Sequence, residues 1–145
     1  MSRVEESVDR DWSLLFVCWL LVAVATGGSL FFSEVMELPP CSLCWYQRIF
    51  MFPLVFVLFM GLFPFDGRVV RYALPLVGAG WLVAGYHVLL YVGILPESAA
   101  PCSQGVSCSQ PTWELFGVLS IPVLSWLVFT AVAAVLLLLR RRLAG

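Results

Sequence analysis

The sequence predicts an all-α membrane protein: a four-transmembrane-helix bundle with two short extracytoplasmic loops. Three observations lead there. Hydrophobic residues make up 61% of the 145-residue chain, well above the roughly 45–50% of soluble domains. They fall in runs of about 20, the length that crosses a bilayer as a helix. All the charges but Arg48 fall at the ends and in the connections, and no basic residue is a lysine. The length suits a single domain covering residues 1–145. The net charge of −1 says little, because the charges are segregated along the chain; the lipid bilayer is the expected surroundings, and no nucleic-acid partner is expected.

Met1 to Asp11 is a mixed-charge leader carrying Arg3 and Arg10 among four acidic residues. The first span is expected over roughly residues 12–32, retained as a helix because no small-residue cleavage site follows it. Cys18 lies inside it and reads as a small buried hydrophobe. The segment from Ser33 to Cys44 contains Glu34 and Glu37 and no basic residue. A second span covers roughly 45–64, with Pro53 inside it. Asp66-Gly67-Arg68 reads as a polar turn. A third span is expected over roughly 72–92 and holds His87, the sole histidine. Gly93 to Glu114 is a polar loop without arginine. A fourth span covers roughly 117–139, and Arg140-Arg141-Arg142 follows it. Gly27, Gly28, Gly78, Gly80 and Gly85 are expected to let helices approach closely. Trp12, Tyr72, Tyr91 and Trp113 near the span ends read as interfacial anchors.

Arginine placement sets the orientation. Arg68, Arg71 and the terminal cluster mark the middle turn and the C-terminus as cytoplasmic, and the N-terminus joins them by parity. The two arginine-free loops then face outward from the plasma (inner) membrane. They carry Cys41, Cys44, Cys102 and Cys108.

Thiols on an oxidising face are expected as disulfides or cycling dithiols. Cys41 and Cys44 have Cys-x-x-Cys spacing at a helix start, where free N–H groups and the helix dipole favour a thiolate. Pro39-Pro40 fits that start. On a helix Cys41, Cys44 and Arg48 share one face. A guanidinium in an apolar span is costly and calls for a partner, so a dithiol above it points to chemistry that creates an anion there. His87 lies at a similar depth, and if it faces Arg48 it can donate to the same ligand. Cys102 and Cys108, separated by five residues, close a small ring in a loop expected to be mobile and open to attack, and exposed disulfides are the labile ones. Each pair also has a plain structural reading as a staple worth about 3 kcal/mol or less. A zinc site made of all four thiolates demands that they stay reduced, so no metal is expected.

The run Pro40-Cys41-Ser42-Leu43-Cys44-Trp45-Tyr46-Gln47-Arg48, followed by Met51 and Pro53, resembles the signature of the DsbB/BdbC family of disulfide-bond-formation proteins. The resemblance extends to four spans, a cysteine pair in each outer loop and His87-Val88 late in the third span. The short Cys102–Cys108 spacing resembles the BdbC branch. The resemblance implies a quinone-dependent protein-disulfide oxidoreductase. Its partner would be an extracytoplasmic thioredoxin-fold dithiol oxidase of the DsbA/BdbD kind, and its cofactor a membrane quinone, ubiquinone or menaquinone. It implies Cys41, Cys44, Cys102 and Cys108 as catalytic residues, and Arg48, Cys44 and His87 as the quinone-binding set. Two rivals stand beside it. One is a vitamin K epoxide reductase-like quinone reductase, whose Cys-x-x-Cys usually comes late in the bundle. The other is an inert disulfide-stapled scaffold or assembly factor.

Overall fold

The computed structural model describes residues 2–100, 107–109, 114–115 and 119–145. Four helices carry the fold: α1 over Ser2–Glu34, α2 over Ser42–Leu62, α3 over Val69–Tyr91 and α4 over Ile121–Ala144. Each is long and apolar enough to cross a membrane. The helices form a ring in which α1 packs on α2 and α4, and α3 packs on α2 and α4. The short connections 35–41 and 63–68 force α1, α2 and α3 to run antiparallel to one another in turn.

α1 starts ten residues ahead of the apolar run, because extending an established helix costs far less than nucleating one. Trp12 turns inward instead of serving as a free interfacial anchor. Its indole N–H donates to the Leu62 carbonyl at 3.3 Å and its ring stacks on Phe16. The turn between α2 and α3 is held by the Asp66 carboxylate, which accepts from the Arg68 backbone N–H at 2.9 Å. α3 closes on Gly93, at φ +82°. The Gly93 N–H bonds the Leu90 carbonyl and the Ile94 N–H bonds the Leu89 carbonyl, a paired C-terminal cap that needs a left-handed residue at its apex. Where the polar loop was expected to give way to the fourth span, Glu114–Leu115 (β1) and Leu119–Ser120 (β2) pair antiparallel, so α4 begins at Ile121, a few residues later than expected.

The core of the ring is Leu15, Cys18 and Val22 from α1, Leu54 and Leu58 from α2, Ala73, Val77 and Ala84 from α3, and Phe129, Val132 and Leu136 from α4. Cys18 is fully buried there. The glycines divide sharply. A Cβ at Gly80 would lie 2.2 Å from the Phe129 ring, so this glycine sets the α3–α4 distance. A Cβ at Gly85 would meet Trp126 at 3.4 Å. Gly27, Gly28 and Gly78 face open space, which corrects the close-approach role expected for them. Their helices meet their neighbours through larger side chains. Gly80→Ala is expected to destabilise the bundle by about 1–3 kcal/mol, the usual cost of overpacking. The check is thermal unfolding in detergent, with Gly78→Ala as the tolerated comparison.

A second buried cluster caps the ring at the loop end. It is built from Cys41, Leu43, Leu90 and Cys108, with Cys44, Val83, Tyr86, Leu95 and Ala100 packed against it.

Candidate active site: Cys41, Cys44 and Cys108 around one apolar cavity

Pro39 and Pro40 keep the chain extended until Cys41, which sits at the N-cap of α2 with φ −72° and ψ 170°. The Cys41 carbonyl accepts the first hydrogen bond of the helix from the Trp45 N–H. One turn into the helix Cys44 comes back beneath it, and the two sulfurs lie 3.2 Å apart as free thiols. The thiol of Cys41 is held well below its ordinary range. The hydrogen bond from Cys44 is the largest cause, and His87 adds to it through a hydrogen bond and its charge, against burial that pushes the thiol up.

His87 on α3 reaches the pair from the other side. Its Nε2 lies 3.7 Å from the Cys41 sulfur, and its Nδ1 lies 3.0 Å from the Gln47 amide nitrogen. The Gln47 carbonyl oxygen in turn accepts from the Ser125 hydroxyl of α4. A polar chain therefore runs Ser125–Gln47–His87–Cys41 through three elements, with Gln47 and His87 both buried. Such a chain couples the position of the imidazole proton to the orientation of the Gln47 amide. Depth alone left open whether His87 faces Arg48. Its recorded partners are Cys41 and Gln47, because Gln47, one residue before Arg48, projects toward α3 while Arg48 projects toward α1.

Arg48 is buried, only 9% exposed. Its Nε donates to the Ser29 hydroxyl and one terminal nitrogen donates to the Ser29 carbonyl, both at 2.8 Å. The guanidinium carbon stands 5.4 Å from the centre of the Trp45 ring. None of these partners is an anion. Two of the five N–H donors of the fork go to Ser29. The charge is brought into the bundle and anchored to α1, and no recorded partner among the described residues neutralises it.

Arg48, Cys41, Cys44 and His87 all line one cavity of about 400 Å³ between α1, α2 and α4. Its walls include Leu21, Val24, Phe32, Met51, Phe52 and Val128. The Thr26 hydroxyl also borders it and is buried without a hydrogen-bond partner among the described residues. An apolar slot of this size, with a cationic fork, an imidazole and an unpartnered hydroxyl on its rim, suits a flat apolar ring that carries carbonyl oxygens. The residues present therefore fit a quinone.

Cys108 is disulfide-bonded and lines the same cavity. At 4% exposure it is buried beside Cys41, which corrects the expectation of an exposed sulfur on a mobile loop. The apolar surface of Leu43 and Leu90 draws it in. The loop is pinned around it: the Ser109 hydroxyl donates to the Glu97 carboxylate, and the Tyr86 hydroxyl donates to the Ala99 carbonyl. Cys102 and Trp113 lie outside the described residues. Spacing rules had no means of selecting Gln47, Ser29 or Ser125. Their signal was simply that each is a polar side chain inside an apolar span.

Comparison with known proteins agrees with this geometry. A family model described as "Disulfide bond formation protein DsbB" matches residues 10–139. A "Probable disulfide formation protein" of Metapseudomonas resinovorans is 44% identical over 132 residues, covering 90% of this chain and 92% of its own. The "Disulfide bond formation protein C" of Bacillus subtilis (strain 168) is 37% identical over 126 residues, covering 87% and 91%. A "Probable disulfide formation protein" of Coxiella burnetii (strain Dugway 5J108-111) is 40% identical over 120 residues, covering 81% and 80%. No solved structure matches the chain. With two facing cysteine sites at one end of four membrane-spanning helices, and with relatives matched along nearly their whole length, the chain belongs to the DsbB family of disulfide-bond-formation proteins, multi-pass oxidoreductases of the membrane.

Proposed function

We propose that this protein is a membrane thiol oxidase that generates disulfides de novo. It reoxidises an extracytoplasmic thioredoxin-fold dithiol oxidase of the DsbA/BdbD kind and delivers the electrons to a membrane quinone, ubiquinone or menaquinone. The loops face outward and both termini lie in the cytoplasm of a cell whose inner membrane holds the bundle, as the arginine distribution supports. The observation that carries the reading is the burial of Cys108 beside Cys41, at the mouth of the cavity that Cys44 and Arg48 line.

The reduced partner's thiolate attacks Cys102 of the Cys102–Cys108 disulfide, and Cys108 leaves as the thiolate. The burial of Cys108 supports Cys102 as the sulfur the partner reaches. Cys108 then attacks Cys41 of the Cys41–Cys44 disulfide, its neighbour in the same cluster. While Cys41 is bonded to Cys108 the negative charge belongs to Cys44, which faces the cavity with Arg48 one turn below. The partner's second thiolate resolves its bond to Cys102. Cys102 then attacks the Cys108 sulfur and expels Cys41 as a thiolate, restoring the loop disulfide and leaving the Cys41–Cys44 pair reduced by two electrons. A quinone bound in the cavity supplies the two-electron, two-proton sink that gives these near-isoenergetic exchanges a direction. Arg48 holds a preorganised positive charge where oxygen anion character develops. Ser29 keeps that charge in place, and His87, oriented by Gln47, stabilises charge on Cys41.

Cys102→Ser separates the two halves of the relay. Turnover driven by a reduced thioredoxin-fold protein is expected to stop, while a small dithiol that reaches Cys41–Cys44 directly still drives quinol formation. Undiminished protein-driven turnover in this variant would remove Cys102 from the pathway.

A further inference from the structure

The sulfurs of Cys41 and Cys44 and a ring nitrogen of His87 lie within 4.8 Å of one another. A tetrahedral zinc ion, with bonds of about 2.3 Å to sulfur and about 2.0–2.1 Å to nitrogen, places its ligands about 3.8 Å (S···S) and about 3.5 Å (S···N) apart. The Cys41 sulfur and His87 Nε2 already stand 3.7 Å apart. The two sulfurs, at 3.2 Å, need to part by only about 0.6 Å, within the play of a side chain in its rotamer well. The three donors border the cavity, which leaves the fourth coordination position open. Two thiolates and an imidazole are the donor set preferred by thiophilic closed-shell cations.

The surroundings of His87 suit the same role. Metal binding through Nε2 requires the proton on Nδ1 and an acceptor to receive it. Nδ1 faces the Gln47 amide at 3.0 Å, and rotating that amide by half a turn presents its oxygen in place of its nitrogen. The other end of the amide meets the Ser125 hydroxyl, a group that donates and accepts equally well. The Ser125–Gln47 pair therefore accommodates either tautomer of His87. The charge of Arg48 opposes a cation here. Two thiolates make the complex neutral, and the guanidinium is tied to Ser29 on α1.

We propose that the reduced active site is a redox-gated binding site for a thiophilic divalent cation of the zinc type. Cys41 and Cys44 bind as thiolates and His87 through Nε2, and two protons are released per ion. The oxidised pair does not bind, because both sulfurs are spent in their mutual bond. A bound ion holds the pair reduced and blocks its return to the disulfide, so the cation inhibits the enzyme in its reduced form only. The proposal rests on the reading above in one respect: Cys41 and Cys44 alternate between dithiol and disulfide.

The test uses the full-length protein in detergent, reduced with a phosphine and desalted without oxygen. Zinc uptake is measured by competition with a chromophoric chelator. A Cys18→Ser, Cys102→Ser, Cys108→Ser triple variant leaves only the proposed thiols. Uptake of about one zinc per reduced chain is expected, with none in the oxidised chain, together with a thiolate-to-metal charge-transfer band when cadmium replaces zinc. His87→Ala is expected to weaken zinc by about tenfold or more while the cadmium–thiolate band persists. The unsubstituted reduced protein is tested in parallel by alkylation and mass mapping, so the result does not hang on the folding of the triple variant. Zinc is expected to protect Cys41 and Cys44. Equal uptake by oxidised protein, protection of Cys102 and Cys108 alone, or unchanged affinity in His87→Ala would each overturn the site. Quinol formation in zinc-free buffer is followed in the same preparations. Absent zinc uptake with quinol formation intact refutes the metal site alone, whereas redox-dependent uptake without quinol formation refutes the oxidase reading alone.

Discussion

Replacing Cys44 by serine is expected to lower quinol formation by about three orders of magnitude or more, the scale of losing the reacting group in a covalent mechanism. The loop disulfide that includes Cys108 is untouched by this change. The variant should therefore still accept electrons once: about one partner disulfide per chain forms in a burst, and no quinol appears. After that burst Cys41, Cys102 and Cys108 are all thiols, and no disulfide is left to take a second pair of electrons. Alkylation and mass mapping are expected to find all three cysteines free. Sustained quinol formation by Cys44→Ser would transfer the donor role to another sulfur.

The second large effect belongs to Arg48. Arg48→Leu removes a buried cation whose recorded partners, Ser29 and Trp45, carry no negative charge. Losing a preorganised donor to a developing oxyanion costs about 10²–10³ in rate, and kcat/KM for the quinone is expected to fall by that factor. Bundle stability is expected to change little, since an apolar side chain replaces a desolvated charge. Exchange between the partner and the loop disulfide should be unaffected, because Arg48 touches neither. Arg48→Lys should recover only part of the loss, as an ammonium lacks the planar fork that spans Ser29 and a ligand. Unchanged kinetics in Arg48→Leu would reduce the residue to a tether between α1 and α2.

The spans were legible in the sequence because bilayer thickness leaves little choice: an apolar run of about 20 residues has one economical conformation. The shared face of Cys41, Cys44 and Arg48 followed from helical spacing alone. What spacing does not carry is which neighbour a side chain meets across the bundle. Arg48 was expected to need a partner, but that the partner would be a serine on α1 depended on how α1 packs beside α2. His87 was placed near Arg48 by depth, and the structure turns it toward Cys41 because Gln47 occupies the face between α2 and α3. Cys108 was expected in the open because its loop is polar, yet Leu43 and Leu90 bury it. The glycines make the same point. Gly80 and Gly78 look alike in a sequence, and only the arrival of Phe129 separates them.

The most direct test of the central claim is anaerobic. Purified protein is mixed with a membrane quinone and a reduced thioredoxin-fold partner, and quinol and partner disulfide are counted together. The account predicts that one quinol appears for each disulfide formed, and that in the Cys44→Ser variant partner disulfides stop after the first burst and no quinol appears. Partner disulfides formed catalytically with no quinol, or quinol formed at the same rate without Cys44, would contradict it.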